Sequence, residues 1–318
     1  MANHKLKFLF KVSLGILIFG VLVWKIGPSV ILQNLIQFKI AALVLINVTT
    51  LSGFLMGGIG VIVLGKTVSP RLEWRGGMEG FLGSISLALF VPGRAGDLSL
   101  PFYWKRFLRY GECLAVVLLD KVNTVFWVLS FGACGLYFIF QGYTGFFAAA
   151  LGYFFIFSLI LLVSISKTRS ILSRLLPKKI LDFLEGSMTA FRTVAKKGKK
   201  NLVAVFVLTG VRVFTYGVGF WVSLWGLDVS SPFFYSVFLM AIAQFVSFIP
   251  ISVMGLGTVE AVCVYGLAQI DTEPSLVIAA LLAGRVITLF WLSLFFHMFA
   301  LKKDITKAGS IKNAVKFF

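Results

Sequence analysis

Six long apolar segments, each of about 18 to 28 residues, run through this chain and are separated by short polar stretches. An α-helix of that length, rising about 1.5 Å per residue, crosses a hydrocarbon core roughly 30 Å thick. Spanning helices are predicted over residues 8–26, 40–64, 113–140, 145–165, 201–226 and 276–300. Only 13% of the residues are charged, whereas a soluble domain carries about a quarter. We therefore predict an all-α polytopic membrane protein, a single transmembrane domain over 1–318 with no separate soluble catalytic domain.

The basic residues indicate how the chain is oriented in the membrane. Lys and Arg number 30 against 12 Asp and Glu, which gives a formal net charge of +18. With six crossings, most of these basic residues fall on one side, including those in 166–200 and those after Leu301. Because cytoplasmic segments are enriched in Lys and Arg, we predict an inner (cytoplasmic) membrane protein with both termini in the cytoplasm. The positive net charge is then explained by the cytoplasmic location of the basic residues and by their contact with anionic lipid headgroups. No nucleic-acid partner is expected.

Two further apolar regions, 76–110 and 233–270, are each interrupted by helix-breaking residues. The residues at the two tips are Pro92, Gly93 and Gly96 in the first region and Pro250, Gly255 and Gly257 in the second. The arm after each break holds about 13 residues, which is too short for a crossing. Both regions are therefore predicted to be re-entrant helical hairpins. The alternative is that Pro and Gly only kink ordinary spanning helices.

The two hairpins predict an internal repeat. Residues 40–140 and 201–300 each contain a span, a hairpin and a span, and six crossings make the hairpins enter from opposite faces of the membrane. A basic cytoplasmic connector, 166–200, lies between them and contains an expected amphipathic helix. Inverted repeats with interrupted helices are typical of transporters that bind their substrate near the midplane of the bilayer.

Charged residues inside the apolar segments are the candidate substrate-binding residues. A charge at the bilayer centre costs roughly 2.5 to 3.5 kcal/mol, so such a residue usually faces a cavity lined by protein. The candidates are Arg94, Asp97, Arg212, Glu260 and Arg285. Arg94 and Asp97 are three residues apart on the first glycine-rich tip, where a guanidinium group and backbone amides can hold a phosphate oxyanion.

Several roles stay open for the other charged residues. Glu260 can cap the half-helix that it opens, pair with an arginine, or take a proton during transport. Arg212 and Arg285 can contact Glu260 or a phosphate, and the alternative for each is a structural buried pair. Asp120 and Lys121 are interpreted as a snorkelling pair near the inner membrane interface.

Metal and cofactor sites are not predicted. The three cysteines and two histidines are isolated from one another and lack the spacing of a zinc site. No HExxH, P-loop, GxSxG or dinucleotide-binding motif is present. We expect a protein that is not an enzyme and that uses no cofactor.

The ensemble of these motifs resembles the lysylphosphatidylglycerol synthase transmembrane (flippase-like) family over nearly the whole chain. The resemblance rests on the break at 92–97, Asp120-Lys121, the break from Pro250 to Glu260, and Arg285. The typical tips of that family read Pro-Gly-Arg-x-Gly-Glu and Pro…Gly-Gly-x-Gly-x-x-Glu. This chain has Asp97 in place of the first Glu and Met254 in place of one Gly. It resembles a stand-alone member, without the aminoacyl-transferase domain of the bifunctional synthases.

The resemblance implies a lipid flippase-like transporter that moves a lipid between leaflets. We expect the cargo to be an anionic phospholipid or a polyprenyl-phosphate-linked lipid, and an envelope lipid-modifying enzyme is a candidate partner. In the expected mechanism Arg94, Arg285 and Arg212 neutralise the headgroup phosphate, while Asp97 and Glu260 hold the arginines in the empty site. Two other functions stay open: secondary transport of a small anion or amphiphile, and an accessory membrane subunit of a cell-envelope glycolipid pathway.

Overall fold

The computed structural model describes residues 19–87, 92–140, 198–248 and 255–300, together with positions 17, 150, 153, 193, 194 and 196. The described residues form helices and some of the turns between them, with no strand among them. In chain order the helices are α1 (Phe19–Ile26), α2 (Pro28–Ile36), α3 (Ile40–Val68), α4 (Trp74–Ser86), α5 (Leu100–Trp104), α6 (Tyr110–Phe140), α7 (Lys199–Trp225), α8 (Phe233–Phe248), α9 (Thr258–Ala268) and α10 (Pro274–Phe295). A 3₁₀-helix, Pro92–Ser99, precedes α5, and a π-helix, Phe296–Ala300, extends α10.

Helices α3, α6, α7 and α10 are long and apolar enough to cross a membrane. They confirm the predicted spans at 40–64, 113–140, 201–226 and 276–300. Helices α1 and α2 meet at a bend of 83°, and together they make at most one further span. The rest of the predicted first span, the predicted span at 145–165 and the amphipathic connector lie outside the described residues, apart from the isolated positions.

The outer faces of the long helices carry large apolar side chains. On α7, Val203, Val207 and Val211 are exposed and follow one another at successive turns, and Val286 and Phe290 are exposed on α10. Soluble proteins rarely expose contiguous apolar surface of this kind, whereas lipid is a suitable solvent for it. The exterior is therefore matched to the bilayer.

The first hairpin consists of α4, the 3₁₀-helix and α5, so the interruption predicted at residues 92–97 is present. Helix α5 has five residues, in place of the arm of about 13 that its sequence predicted. It ends at Trp104, which is fully buried and donates its indole N–H to the carbonyl of Gly77 (3.1 Å) on α4. The next two residues, Lys105 and Arg106, are exposed. Helix α5 is short because Trp104 is fixed against α4 and the charged residues that follow it remain in contact with solvent.

The second hairpin consists of α8 and α9, with 16 and 11 residues. Gly255 and Gly257 lie at its break with φ of 69° and 81°, values that cost a residue with a Cβ about 1–2 kcal/mol. Tyr235 Oη donates to the carbonyl of Gly266 (2.5 Å) and so holds α8 on α9. None of the four hairpin helices reaches the roughly 20 residues of a transmembrane helix.

The two halves of the chain pack against each other in a reciprocal way. Helix α3 lies against α7 in the most extensive contact between described helices. Helix α6 of the first half packs on α8 of the second, and α10 of the second half packs on α4 of the first. Gly219 allows the close approach of α7 to α3, because a Cβ there would lie 2.9 Å from Oγ1 of Thr49. Each half thus supplies a long helix that supports the hairpin of the other.

Candidate functional site

A cavity of about 310 Å³ lies between α3, α7 and α10, and α6, α8, α9 and the first hairpin also contribute to its wall. Small-molecule sites in proteins typically have volumes of about 300–1,000 Å³. Among the described residues, the charged side chains in the wall are Asp97, Asp120, Lys121, Arg212 and Arg285. The cavity reaches the outer surface of α10 at Leu289, which is 42% exposed. An interior space with charged side chains in its wall is therefore bounded on one side by a residue of the apolar exterior.

An ion pair ties each broken hairpin to the long helix that follows it. Asp97 of the 3₁₀-helix pairs with Lys121 of α6, and Glu260 of α9 pairs with Arg285 of α10. The acid and the base are 24 residues apart in the first pair and 25 in the second. The two pairs therefore hold corresponding positions in the two halves of the chain.

Glu260 is fully buried and uses both carboxylate oxygens. Its Oε2 accepts a hydrogen bond from the backbone N–H of Gly257 (2.8 Å), which caps the first turn of α9. Its Oε1 accepts from Nε of Arg285, and Nη2 of Arg285 also donates to the carbonyl of Gly255 (3.2 Å). Capping and pairing, two of the roles left open by the sequence, therefore occur together. The role as a proton carrier stays a prediction.

Arg212 forms the buried pair that the sequence left as an alternative to contact with Glu260 or a phosphate. Its Nη2 donates to Oδ1 of Asp120 (3.1 Å) and to Oγ1 of Thr124 (2.7 Å), both on α6. Gly57 of α3 makes room for the guanidinium group, because a Cβ there would lie 2.9 Å from Nη1 of Arg212. The pair therefore joins α6 to α7 at the wall of the cavity.

The interpretation of Asp120 and Lys121 as a snorkelling pair is wrong. Consecutive residues on an α-helix point about 100° apart, and these two side chains find different partners. Asp120 is buried against Arg212, and Lys121 pairs with Asp97. Both line the cavity, so both join the candidate site.

The structure describes the first tip only in part. The backbones of Pro92, Gly93 and Arg94 belong to the 3₁₀-helix, but the side chain of Arg94 lies outside the described part, as does the whole of Pro250. The contact of Arg94 with a phosphate stays a prediction. Gly96 is described and is buried beside the cavity-lining Asp97.

A repeated motif, not among the patterns described above, begins at Lys121 and at Arg285. Residues 121–127 read KVNTVFW and residues 285–291 read RVITLFW. The last residue of each motif binds the first helix of the other half: Trp127 Nε1 donates to the carbonyl of Phe206 on α7 (2.8 Å), and Trp291 Nε1 donates to Oδ1 of Asn47 on α3 (3.0 Å). This repeat identifies Lys121 as the counterpart of Arg285.

The two halves differ at the residue before this motif, which is Asp120 in α6 and Gly284 in α10. Both residues line the cavity. A Cβ at Gly284 would have only Oγ of Ser223 nearby, at 4.0 Å. In the first half the pair of Asp120 with Arg212 occupies the wall, whereas the second half leaves space at Gly284. This asymmetry opens the cavity toward α10.

The apolar exterior, the four spanning helices and the cavity with ion pairs in its wall define a multi-pass membrane protein with an internal site that contains charged side chains. Comparison with protein families assigns it further. Residues 8–295 match the family described as the lysylphosphatidylglycerol synthase TM region. This match covers most of the chain, so the protein belongs to that family, as the resemblance predicted. No curated protein matches the chain.

Proposed function

We propose that this protein is a flippase-like transporter that moves an anionic phospholipid or a polyprenyl-phosphate-linked lipid between the leaflets of the membrane. One observation carries the proposal: a cavity inside a membrane protein lined by Lys121, Arg212 and Arg285. Charged side chains within a membrane are costly and typically mark a substrate pathway. Arg and Lys are also the side chains that bind phosphate oxygens most strongly. Membership in a lipid-related family supports the same conclusion.

In this proposal the headgroup enters the cavity and the acyl chains stay in the bilayer. Two features support such a route. The cavity, at about 310 Å³, is small enough to suit a headgroup. Its wall also includes Leu289 of α10, which is 42% exposed, so the cavity meets the apolar exterior at this residue. Lipid would enter and leave beside Leu289.

The architecture we propose has six spans and two opposed re-entrant hairpins in an inverted repeat, with both termini in the cytoplasm of the inner membrane. The support is the correspondence of the halves 40–140 and 201–300, which share the ion-pair spacing, the KVNTVFW-type motif and reciprocal packing. In transporters of this kind one half moves against the other around a fixed site. Such movement would expose the cavity to each leaflet in turn.

The ion pairs supply a mechanism for coupling binding to movement. A headgroup phosphate competes with the carboxylates for Lys121 and Arg285, whose side chains are 32% and 20% exposed. Arg212 is 9% exposed and stays paired with Asp120, so it positions α6 against α7. Loosening the pair of Lys121 or that of Arg285 frees a hairpin from the long helix that follows it. Arg94, on the first tip, is proposed to add a further phosphate contact.

The proposal needs no cofactor and no catalytic step by this chain. Its cargo is a lipid, so the proposed partners are anionic membrane lipids and an envelope enzyme that makes or consumes the transported lipid. This places the protein in a lipid pathway without assigning it a reaction.

Movement of labelled lipid between the leaflets of proteoliposomes tests the proposal. The lipids are phosphatidylglycerol labelled on an acyl chain and polyprenyl phosphate labelled on its prenyl chain. Gly284→Leu fills the open side of the cavity, and Gly20→Leu is the matched control because Gly20 is exposed on α1 with nothing within 4 Å of an added Cβ. We expect wild type and Gly20→Leu to move at least one lipid and Gly284→Leu to move none. If folded wild-type protein moves no lipid even under a proton gradient, the proposal is wrong.

A second candidate function, secondary transport of a small anion, is favoured by Glu260. A fully buried carboxylate paired with a cavity-lining arginine is a suitable proton acceptor for coupled transport. The same vesicles, without labelled lipid, measure uptake of radiolabelled inorganic phosphate under a proton gradient. Gradient-dependent uptake that is lost in Glu260→Gln would favour this function over lipid translocation.

A further inference from the structure

The part of the cavity wall that α3 and α7 form contains no carboxylate. Neither helix has an Asp or Glu residue over Ile40–Val68 or Lys199–Trp225. The acids of the three ion pairs at the site come from the first hairpin, α6 and α9. A ligand held between α3 and α7 therefore contacts helices that contribute basic and hydroxyl side chains, and no acidic ones, to the cavity.

Two hydroxyl groups in this part of the wall have uncommitted protons. They belong to Thr50 of α3 and Tyr216 of α7. The other described hydroxyl groups of the wall each donate to a carbonyl of their own helix; they are those of Thr49, Thr124, Ser223 and Thr288. Within the described part of the chain, neither Thr50 nor Tyr216 forms a side-chain hydrogen bond, and neither oxygen is among the enclosed polar atoms without a partner. Both hydroxyl groups are therefore accessible and can donate to a ligand.

Arg212 contributes further donors to the same part of the wall. Its bonds to α6 use Nη2 alone, and Nη1 forms no hydrogen bond with any described residue. Nη1 lies against α3, because a Cβ at Gly57 would be 2.9 Å from it. A guanidinium group has five N–H donors. Arg212 can therefore hold Asp120 through one nitrogen and an anion through another.

Two glycines of α3 bring these donors together. Gly53 and Gly57 are one helical turn apart on α3, and Arg212 and Tyr216 are one turn apart on α7. A Cβ at Gly53 would lie 2.5 Å from Cε1 and 3.1 Å from Oη of Tyr216, so the phenol ring packs directly over this glycine. Thr50 is on α3 one turn from Gly53, on the side away from Gly57. The donors of Arg212, Tyr216 and Thr50 therefore follow one another along the contact between α3 and α7.

We infer that Arg212, Tyr216 and Thr50 form a docking site for the phosphate group of the substrate. The inference rests on the proposed function and names further binding residues at its site. Nη1 of Arg212 and Oη of Tyr216 lie 2.9 and 3.1 Å from the Cβ positions of two glycines one turn apart, which are about 5–6 Å from each other. This spacing matches two hydrogen bonds of about 2.8 Å to one phosphate group. Asp120 keeps Nη2 of Arg212, so docking opens none of the ion pairs.

Isothermal titration of the detergent-solubilised protein with inorganic phosphate and with dihexanoyl phosphatidylglycerol tests the inference. Tyr216→Phe removes only the hydroxyl group. It should weaken binding of both compounds by about tenfold, as the loss of a hydrogen bond to a charged group does. Tyr265→Phe is the matched control, because Tyr265 is 59% exposed on α9 and lies outside the cavity wall. Equal affinities in the two variants would overturn the inference.

Two neighbouring threonines provide a second comparison. Thr50→Val removes a free donor, whereas Thr49→Val removes a hydroxyl group that already donates its proton to the carbonyl of Ile46 (3.0 Å). Both residues line the cavity, and the change in volume is the same. Phosphate affinity should fall several-fold in Thr50→Val and stay close to wild type in Thr49→Val. Equal losses in both variants would contradict a role for the free proton.

Movement of labelled phosphatidylglycerol in proteoliposomes separates this inference from the proposed function. Lipid movement together with equal phosphate affinity in wild type and Tyr216→Phe would overturn the docking site and leave lipid translocation intact. Phosphate binding that requires Tyr216, in a protein that moves no lipid, would support the docking site, identify free phosphate as its ligand and count against the proposed function. Tighter binding of dihexanoyl phosphatidylglycerol than of inorganic phosphate would support the lipid headgroup as the ligand.

Discussion

At the scale of single residues, two carboxylates with similar partners differ in burial. The Glu260 side chain is fully buried, whereas that of Asp97 is 21% exposed. Neutralising one member of a buried ion pair leaves the other charge without a partner and lowers the free energy of unfolding by about 3–5 kcal/mol. We therefore predict that Glu260→Gln lowers the unfolding temperature of the detergent-solubilised protein by several degrees more than Asp97→Asn does. Circular dichroism during heating measures the difference.

A solvent-exposed pair provides the control for this prediction. Asp228, 78% exposed, pairs with Lys39, and exposed pairs contribute at most about 1 kcal/mol. Asp228→Asn should therefore change the unfolding temperature least of the three substitutions. Equal losses in Glu260→Gln and Asp97→Asn would mean that burial does not set the strength of these pairs.

The charged residues of the site could be predicted from the sequence, but most of their partners could not. A charge within an apolar segment is a local property, so Arg212, Glu260 and Arg285 stand out without any structure. Which carboxylate reaches which base depends on how distant helices pack. The pairing of Asp97 with Lys121 joins two elements whose contact no single-residue property indicates. The repeated motif at 121–127 and 285–291 relates Lys121 to Arg285 in the sequence, and the structure is needed to show which carboxylate each base contacts.

At the scale of elements, helix breaks were more predictable than helix lengths. Pro and Gly act locally on the backbone, so both interruptions follow from composition. The five-residue length of α5 depends on Trp104 inserting against α4, which is a tertiary contact. Glycine tolerates a positive φ that other residues do not, and this rule also predicts the effect of replacing a glycine at the second break.

We predict that Gly257→Ala destabilises the protein and Gly132→Ala does not. Alanine at φ 81° costs about 1–2 kcal/mol, and the strain would displace the N–H that Glu260 binds. In helix α6, by contrast, a Cβ at Gly132 meets no atom closer than 3.8 Å. There alanine should be neutral or stabilise the helix by up to about 1 kcal/mol. Thermal unfolding should show a lower unfolding temperature for Gly257→Ala and an unchanged or higher one for Gly132→Ala, and equal stability of the two variants would refute the prediction.

At the scale of the whole molecule, the proposed function depends on two similar halves that are not identical. Each half contributes one hairpin, one ion pair and one indole hydrogen bond, and these lie around the contact between α3 and α7. Their difference, Asp120 against Gly284, places the open volume on one side. A symmetric pair of halves in opposite orientations can present one site to either leaflet. That requires the hairpins to begin and end on opposite faces of the membrane.

Single cysteines placed beside the hairpins test this orientation directly. Arg75 and Lys105 flank the first hairpin, Ser230 and Glu273 flank the second, and all four are exposed. In a background where Cys113, Cys134 and Cys263 are replaced by alanine, a membrane-impermeant maleimide should label Arg75→Cys and Lys105→Cys from the cytoplasmic side only. Ser230→Cys and Glu273→Cys should react from the opposite side only, because an odd number of crossings separates the two pairs in the inverted arrangement. Labelling of all four from one side would show that the halves are parallel, and alternating access between equivalent hairpins would then have no structural basis.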